Sequence, residues 1–248
     1  EKMMAKLREN NKMLLPEQIE QFYKYMNLLI EWNEKMNLTA ITEPNEVIEK
    51  HFIDCLTIMP YLKENSRVID VGTGAGFPGI PVKIANSSLD ITLLDSLNKR
   101  INFLNEVISN LGLNNIQAIH SRAEEYVKEN RETYDIAVSR AVAELPTLLE
   151  YLLPYVKVGG KCICMKGPKA SEEIEKSKKA FEILGGKIEK VENININNEM
   201  ERNIIIISKI KPTPEPRPHP TRVPAFQHSS IIFWKNASSL SFALQPAS

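Results

Sequence analysis

From Val68 to Gly79 the chain reads Val-Ile-Asp-Val-Gly-Thr-Gly-Ala-Gly-Phe-Pro-Gly, an apolar run that opens into a glycine-dense turn. Glycines let a backbone come close to a ligand and adopt positive φ, so these residues predict a small-molecule cradle at the end of a strand. Two ligand chemistries fit. Gly74 to Gly79 satisfies the spacing G-x-G-x-x-G, which in dinucleotide-binding folds sets a helix N-terminus against a pyrophosphate. Asp70 points the other way, because a carboxylate two residues before the first glycine repels a pyrophosphate and suits a ligand bearing an ammonium and a sulfonium. S-adenosylmethionine is such a ligand, and methyl transfer is the chemistry these residues favour. A glycine turn with no ligand is the plain alternative.

Further polar residues recur at the ends of apolar runs. Asp95 closes Leu93-Leu94-Asp95, 25 residues beyond Asp70, where an acid at a strand's C-terminal edge accepts hydrogen bonds from both ribose hydroxyls; capping of the segment after Ser96 is the simpler role. Ala123 and Glu124 follow a third run and are candidate neighbours of an adenine ring, while Ser121 and Glu124 also fit a capping box. Arg140 ends a fourth run, placed to clamp a methionine carboxylate or a nucleic-acid phosphate, or to serve structure alone. His51 and Asp54 fall on neighbouring turns of one helix, either lining a substrate mouth or forming a local polar pair. Lys166 and Lys169 are candidates for phosphate contact or for a solvated surface.

The elements that must position these groups follow from periodicity. Ile19, Phe22, Tyr23, Met26, Leu29 and Ile30 recur at helical spacing behind Pro16 and predict an amphipathic helix ending near Lys35. A second helix is expected from Pro44, with Val47, Ile48, Phe52, Leu56 and Met59 on one face, until Pro60 interrupts it. From Ser66 short β-rich runs alternate with helical stretches: Arg67–Val71, Ile91–Asp95, Ile116–His120, Asp135–Ser139 and Lys161–Lys166 read as strands. That alternation predicts a parallel, doubly wound α/β sheet. Helices are expected after Ser96 and over Ala141–Leu153, a tight Gly159-Gly160 turn before the fifth strand, and a solvated helix face from Glu172 to Lys179. An antiparallel hairpin, Lys187–Ile194 and Asn203–Ile210, closes the sheet. The expected organisation is a helical segment over residues 1–63, a methyltransferase domain over 64–211 and a poorly ordered, proline-rich tail over 212–248.

Composition excludes several classes. Basic and acidic side chains number 31 each, so no global positive field gathers nucleic acid; any such partner needs a local patch. Cys55, Cys162 and Cys164 form no C-x-x-C pair and read as buried thiols rather than metal ligands. No apolar run approaches the roughly 18 residues that span a bilayer. A cytoplasmic protein, bound to neither membrane nor metal, is expected.

Taken together, Asn37-Leu38-Thr39-Ala40-Ile41, His51-Phe52-Ile53-Asp54, the glycine turn with its Phe77-Pro78-Gly79-Ile80-Pro81 continuation, Leu94-Asp95-Ser96-Leu97-Asn98-Lys99-Arg100, Arg122-Ala123-Glu124 and Ser139-Arg140-Ala141-Val142-Ala143 resemble one family closely. It is the bacterial ribosomal RNA small subunit methyltransferase G family, also called glucose-inhibited division protein B, and the similarity spans about Leu14 to Lys211. The resemblance implies a seven-stranded methyltransferase sheet, S-adenosyl-L-methionine as cofactor, and N7-methylation of one guanosine in 16S ribosomal RNA, on the RNA or the 30S subunit. It places cofactor contacts at Gly72, Phe77, Ala123, Glu124 and Arg140, to which the ribose argument adds Asp95. No catalytic acid or base is assigned, because guanine N7 carries a lone pair and no proton. The tail departs from the family: members end in a lysine- and arginine-rich segment, whereas here an apolar stretch carries Lys235 alone after the prolines. RNA affinity is what that departure affects, since phosphate contacts dominate it.

Overall fold

The computed structural model describes residues 14–196 and 200–215. The tail expected from residue 212 therefore lies outside the described residues from 216 onward. Among the described residues seven strands form one sheet: β1 (Arg67–Val71), β2 (Asp90–Asp95), β3 (Ile116–His120), β4 (Tyr134–Arg140), β5 (Val156–Lys166), β6 (Gly186–Ile196) and β7 (Met200–Lys209), in the order β3-β2-β1-β4-β5-β7-β6. The first five run parallel, and β7 runs antiparallel to both β5 and β6. The hairpin expected at the end of the sheet is present, with its second strand inserted beside β5. Near-continuous apolar runs make these strands because both faces of a parallel sheet are covered; Ile204 to Ile207 on β7 are all buried. β2 and β4 flank β1 on opposite sides, so the order reverses there and opens a crevice at the C-terminal ends of β1 and β4.

Helix α1 (Pro16–Met36) starts with proline in its first turn and ends at Asn37 in the left-handed conformation. Its buried face is Ile19, Phe22, Tyr25, Met26, Leu29 and Asn33. Tyr23, expected on that face, is 46% exposed, because the three-residue step from Phe22 leads to Tyr25. Two amides of α1 satisfy carbonyls left over at other helix ends. Gln18 Nε2 donates to Ile84 O at 2.8 Å at the end of α3 (Gly79–Ala85), and Gln21 Nε2 donates to Leu111 O at 2.9 Å at the end of α4 (Asn98–Leu111).

The second helical segment, α2, covers residues 44–56, and its middle, Val47–Ile53, is π-helical. A single 3₁₀ turn, Met59–Tyr61, carries Pro60. Beyond α3 and α4 lie α5 (Ala123–Asn130), α6 (Leu145–Leu152), α7 (Ala170–Lys176) and α8 (Lys178–Leu184). Helix α6 begins four residues later than its apolar pattern suggested: Ala141 sits at φ 54 and Glu144 is extended ahead of Pro146, so residues 141–144 form a loop. The Gly159-Gly160 pair lies inside β5, not before it. The ladder with β4 jumps from Tyr134↔Val156 to Ile136↔Lys161, and a Cβ on Gly160 would meet Asp135 O, which only glycine avoids.

Candidate active site

The glycine turn joins β1 to α3 at the sheet's crevice and is held from two sides. Gly72 N and Thr73 N both donate to Leu94 O, at 2.9 and 3.1 Å, and Gly74 N donates to Asp95 Oδ2 at 2.9 Å. On its other side Tyr25 of α1 donates its hydroxyl to Ala75 O at 2.5 Å. The glycines differ in what surrounds them. A Cβ on Gly72, at φ +70, would stand 2.7 Å from Val142 Cγ2 of the 141–144 loop, whereas one on Gly74, at φ +61, would meet nothing within 4 Å among the described residues. Gly74, absent from the expected contacts, thus presents bare backbone to open space.

Asp70 corrects the charge argument made from its position. Its carboxylate is fully buried and faces the turn rather than a ligand: Oδ2 accepts from Thr73 Oγ1 at 2.7 Å and from Gly79 N at 2.8 Å. Burial, opposed by these two hydrogen bonds, pushes its pKa up to about 7. Oδ1 has no hydrogen-bond partner among the described residues. The first N–H of α3, which a pyrophosphate would need, is therefore already taken by a carboxylate. The dinucleotide reading loses its anion site.

Asp95 ends β2 with both oxygens anchored, Oδ1 by Leu97 N at 2.9 Å and Oδ2 by Gly74 N and by Arg100 at 3.2 Å. Its own carbonyl accepts from Ser121 N at 3.1 Å, which draws the start of α5 to the end of β2. Ala123 is the first residue of α5, and Tyr155 donates its hydroxyl to Ala123 O at 2.5 Å. Glu124 is partly buried, with Arg122 at 3.9 Å. The expected Ser121 cap is not formed: the residue at the cap is Arg122, without a side-chain cap bond, and Ser121 Oγ reaches Arg122 O instead.

Phe77 and Arg140 are built differently from the expectation. The Phe77 ring is 5% exposed and packs against His51, with ring centroids 4.5 Å apart, and against Tyr25 and Phe52. Arg140 lies over that ring, 4.8 Å from its centroid. It is fastened to α2: Nη1 donates to Lys50 O at 3.2 Å and to Asp54 Oδ2 at 3.0 Å, and Nη2 donates to His51 Nδ1 at 3.0 Å. An acceptor Nδ1 makes His51 an Nε2–H tautomer, which donates to Thr39 Oγ1 at 2.9 Å. Burial first, and Arg140 second, lower its pKa to about 3. His51 and Asp54 are thus joined through Arg140.

Lys166 does not reach the surface where a phosphate would lie. It is 7% exposed, donates to Ala143 O at 2.7 Å and pairs with Glu173 at 2.6 Å, and Glu173 accepts from Leu145 N at 2.7 Å. Together they pin the 141–144 loop. Lys169 is exposed. The charge run from Glu172 is solvated except at Glu173 and at the buried Ser177, where two short helices meet. Cys55, Cys162 and Cys164 are buried free thiols. Among the described residues no group of three His, Cys, Asp or Glu side chains is placed to hold a metal, and no helix is long and apolar enough to cross a membrane.

Comparison with known proteins gives a consistent result. The family model described as rRNA small subunit methyltransferase G matches residues 18–205. The ribosomal RNA small subunit methyltransferase G of Acetivibrio thermocellus is 55% identical over 213 residues, 84% of this chain and 88% of that protein. Its counterpart in Clostridium novyi is 51% identical over 203 residues, 80% and 84% of the two chains. Among solved structures, P. horikoshii TYW2 in complex with MeSAdo superposes with a TM-score of 0.54 at 14% identity, covering 64% of this chain and 62% of that one, a likeness of fold.

Proposed function

The chain belongs to the rRNA small subunit methyltransferase G family, and from that premise we propose that it transfers the methyl group of S-adenosylmethionine to N7 of one guanosine in 16S ribosomal RNA. The substrate in this reading is the 16S RNA or the 30S subunit that holds it, and the setting is the cytoplasm. The family match carries the substrate, and the observation that carries the cofactor is Asp95, whose carboxylate is anchored beside the open face of Gly74 at the sheet's switch point. A ribose diol fits that acid.

The residues present suit the cofactor. Gly72, Gly74 and the main chain at Phe77 form the cradle, Asp95 takes the ribose, Ala123 and Glu124 flank the adenine, and Arg140 meets the methionine carboxylate. When bound, the cofactor supplies an electrophilic methyl on its sulfonium. What the chain supplies is position. Guanine N7 offers an in-plane lone pair and no proton, so no general base is needed, and alignment alone is worth up to about 7–11 kcal/mol. His51 fits this division: held neutral and bonded through both ring nitrogens, it orients Arg140 and moves no proton. Residues 64–211 carry the cofactor in this proposal, and the described part of the N-terminal helical segment walls the substrate side.

The test is to incubate the protein with radiolabelled S-adenosylmethionine and unmethylated 30S subunits, then to digest and separate the nucleosides, with S-adenosylhomocysteine titrated calorimetrically in parallel. Label recovered as 7-methylguanosine is the expected result. Label in another nucleoside overturns the assigned atom, and absence of cofactor-product binding overturns the site.

A further inference from the structure

Asp54 is a fully buried carboxylate shared by two arginines that reach it from different parts of the fold. Arg202, on β7, grips it as a fork: Nε donates to Oδ1 at 2.7 Å and Nη2 to Oδ2 at 2.8 Å. Arg140, on β4, reaches it with Nη1 alone, at 3.0 Å on Oδ2. For a lone arginine and carboxylate the preferred arrangement is the fork, with two parallel N–H···O bonds. Arg202 occupies that arrangement, and Arg140 is left with a single bond.

The consequence lies in Arg140's donors. A guanidinium carries five N–H groups. Among the described residues three are used, by Lys50 O, Asp54 and His51, which leaves two for a ligand. We propose that Arg202 is a positioning residue of the methyl-transfer site: by filling the forked edge of Asp54 it prevents that carboxylate from sequestering Arg140, whose remaining donors then meet the cofactor. This rests on the reading of Arg140 given above. It also explains two arginines on one acid. Arg140 is oriented by Asp54 without being consumed by it, and cofactor affinity is set through the β6–β7 hairpin, whose Arg202 lies 148 residues from Asp54 in sequence.

The inference makes an unusual demand on a pair of substitutions. In Arg202→Met the Asp54 carboxylate is free to take Arg140 in a fork, and affinity for S-adenosylhomocysteine falls, by roughly tenfold if one ligand contact is lost. Adding Asp54→Asn removes the competing carboxylate, so the double variant binds more tightly than Arg202→Met alone. A merely structural role for Arg202 moves affinity only in step with thermal stability, because contacting residues of one buried network couple with either sign; the positioning role restores affinity in the double variant whether or not its melting temperature recovers. Arg202→Lys keeps the charge but cannot form the fork, and it weakens binding in the same direction with less disturbance of the fold. Calorimetric titration of the full chain with S-adenosylhomocysteine reads all four proteins, with thermal melting to show each is folded. Unchanged affinity in Arg202→Met, or no recovery in the double variant, overturns the proposal; if Arg202→Met does not fold, unchanged affinity in Arg202→Lys overturns it. Wild-type protein that fails to bind overturns the reading of Arg140 itself, a result distinct from either.

Discussion

Alanine at Gly74 and at Gly79 separates the two demands placed on the glycine turn. At Gly74 the new methyl meets nothing within 4 Å, but the residue sits at φ +61, where an L side chain costs about 1–2 kcal/mol. For a chain of this size that lowers the melting temperature by about 2–8 °C. At Gly79 the φ is unexceptional, but the methyl would lie 2.2 Å from Leu93 Cδ2 and 2.9 Å from Asp70 Oδ2. Overpacking of that kind costs about 1–3 kcal/mol, and it strains the Gly79 N–H bond to Asp70 that starts α3. Urea unfolding gives both stabilities, and titration with S-adenosylhomocysteine gives both affinities. If the open space beside Gly74 is the ligand's, Gly74→Ala weakens binding by at least about tenfold, some 1.4 kcal/mol, beyond what its loss of stability explains. Wild-type affinity in Gly74→Ala would refute the placement of the cofactor against that residue.

Two hydroxyls test the supports of the turn and of α5. Tyr25→Phe orphans Ala75 O, at a cost of about 1–3 kcal/mol, while Tyr155→Phe leaves Ala123 O with its helical bond alone, at a cost of about 0.5–1.5 kcal/mol; the second should weaken adenosine as much as S-adenosylhomocysteine, and wild-type adenosine binding would detach Tyr155 from the adenine side. The pH dependence of stability has two opposing parts. Asp70 titrates in the folded state near 7 against an ordinary 3.8, so its contribution is present at low pH and is lost as pH rises through that window. His51 titrates near 3 against 6.5, so its contribution is complete above 6.5 and is lost as pH falls toward 3. Asp70→Asn should therefore leave a urea midpoint that rises with pH between about 4 and 6.5, and His51→Gln one that falls. A slope unchanged from wild type in either variant would show that the group is not titrating as described.

Much of the architecture was legible because its signals are local. The five parallel strands follow from apolar runs bounded by turn residues, and the hairpin follows from two apolar runs separated by Asn and Glu. Asp95 was legible as an acid at a strand end. The misreadings have local causes as well. Tyr23 fits the apolar spacing of α1, yet Tyr25, two residues on, is the buried one, because which side of the stripe is covered depends on where the neighbouring core sits. The Gly159-Gly160 pair looks the same in sequence whether it makes a turn or a kink inside a strand. Lys166 looked like a surface cation because a strand end is ordinarily solvated, and only the fold brings Glu173 and Ala143 O to it.

By itself the sequence determined the class of chemistry: a glycine turn after an apolar strand, an acid at the end of the next strand, and the Phe77-Pro78-Gly79 continuation that marks the family. These are encoded in contiguous residues, and contiguous residues are what a sequence displays. The tertiary structure alone decided what each polar group faces. It turned Asp70 inward to Gly79, left Gly74 open, drew Tyr25 onto Ala75 across 50 residues and Arg202 onto Asp54 across 148. A carboxylate's role depends on which donors surround it, and at Asp54 those donors arrive from β4 and β7, an arrangement fixed by packing and not by spacing along the chain.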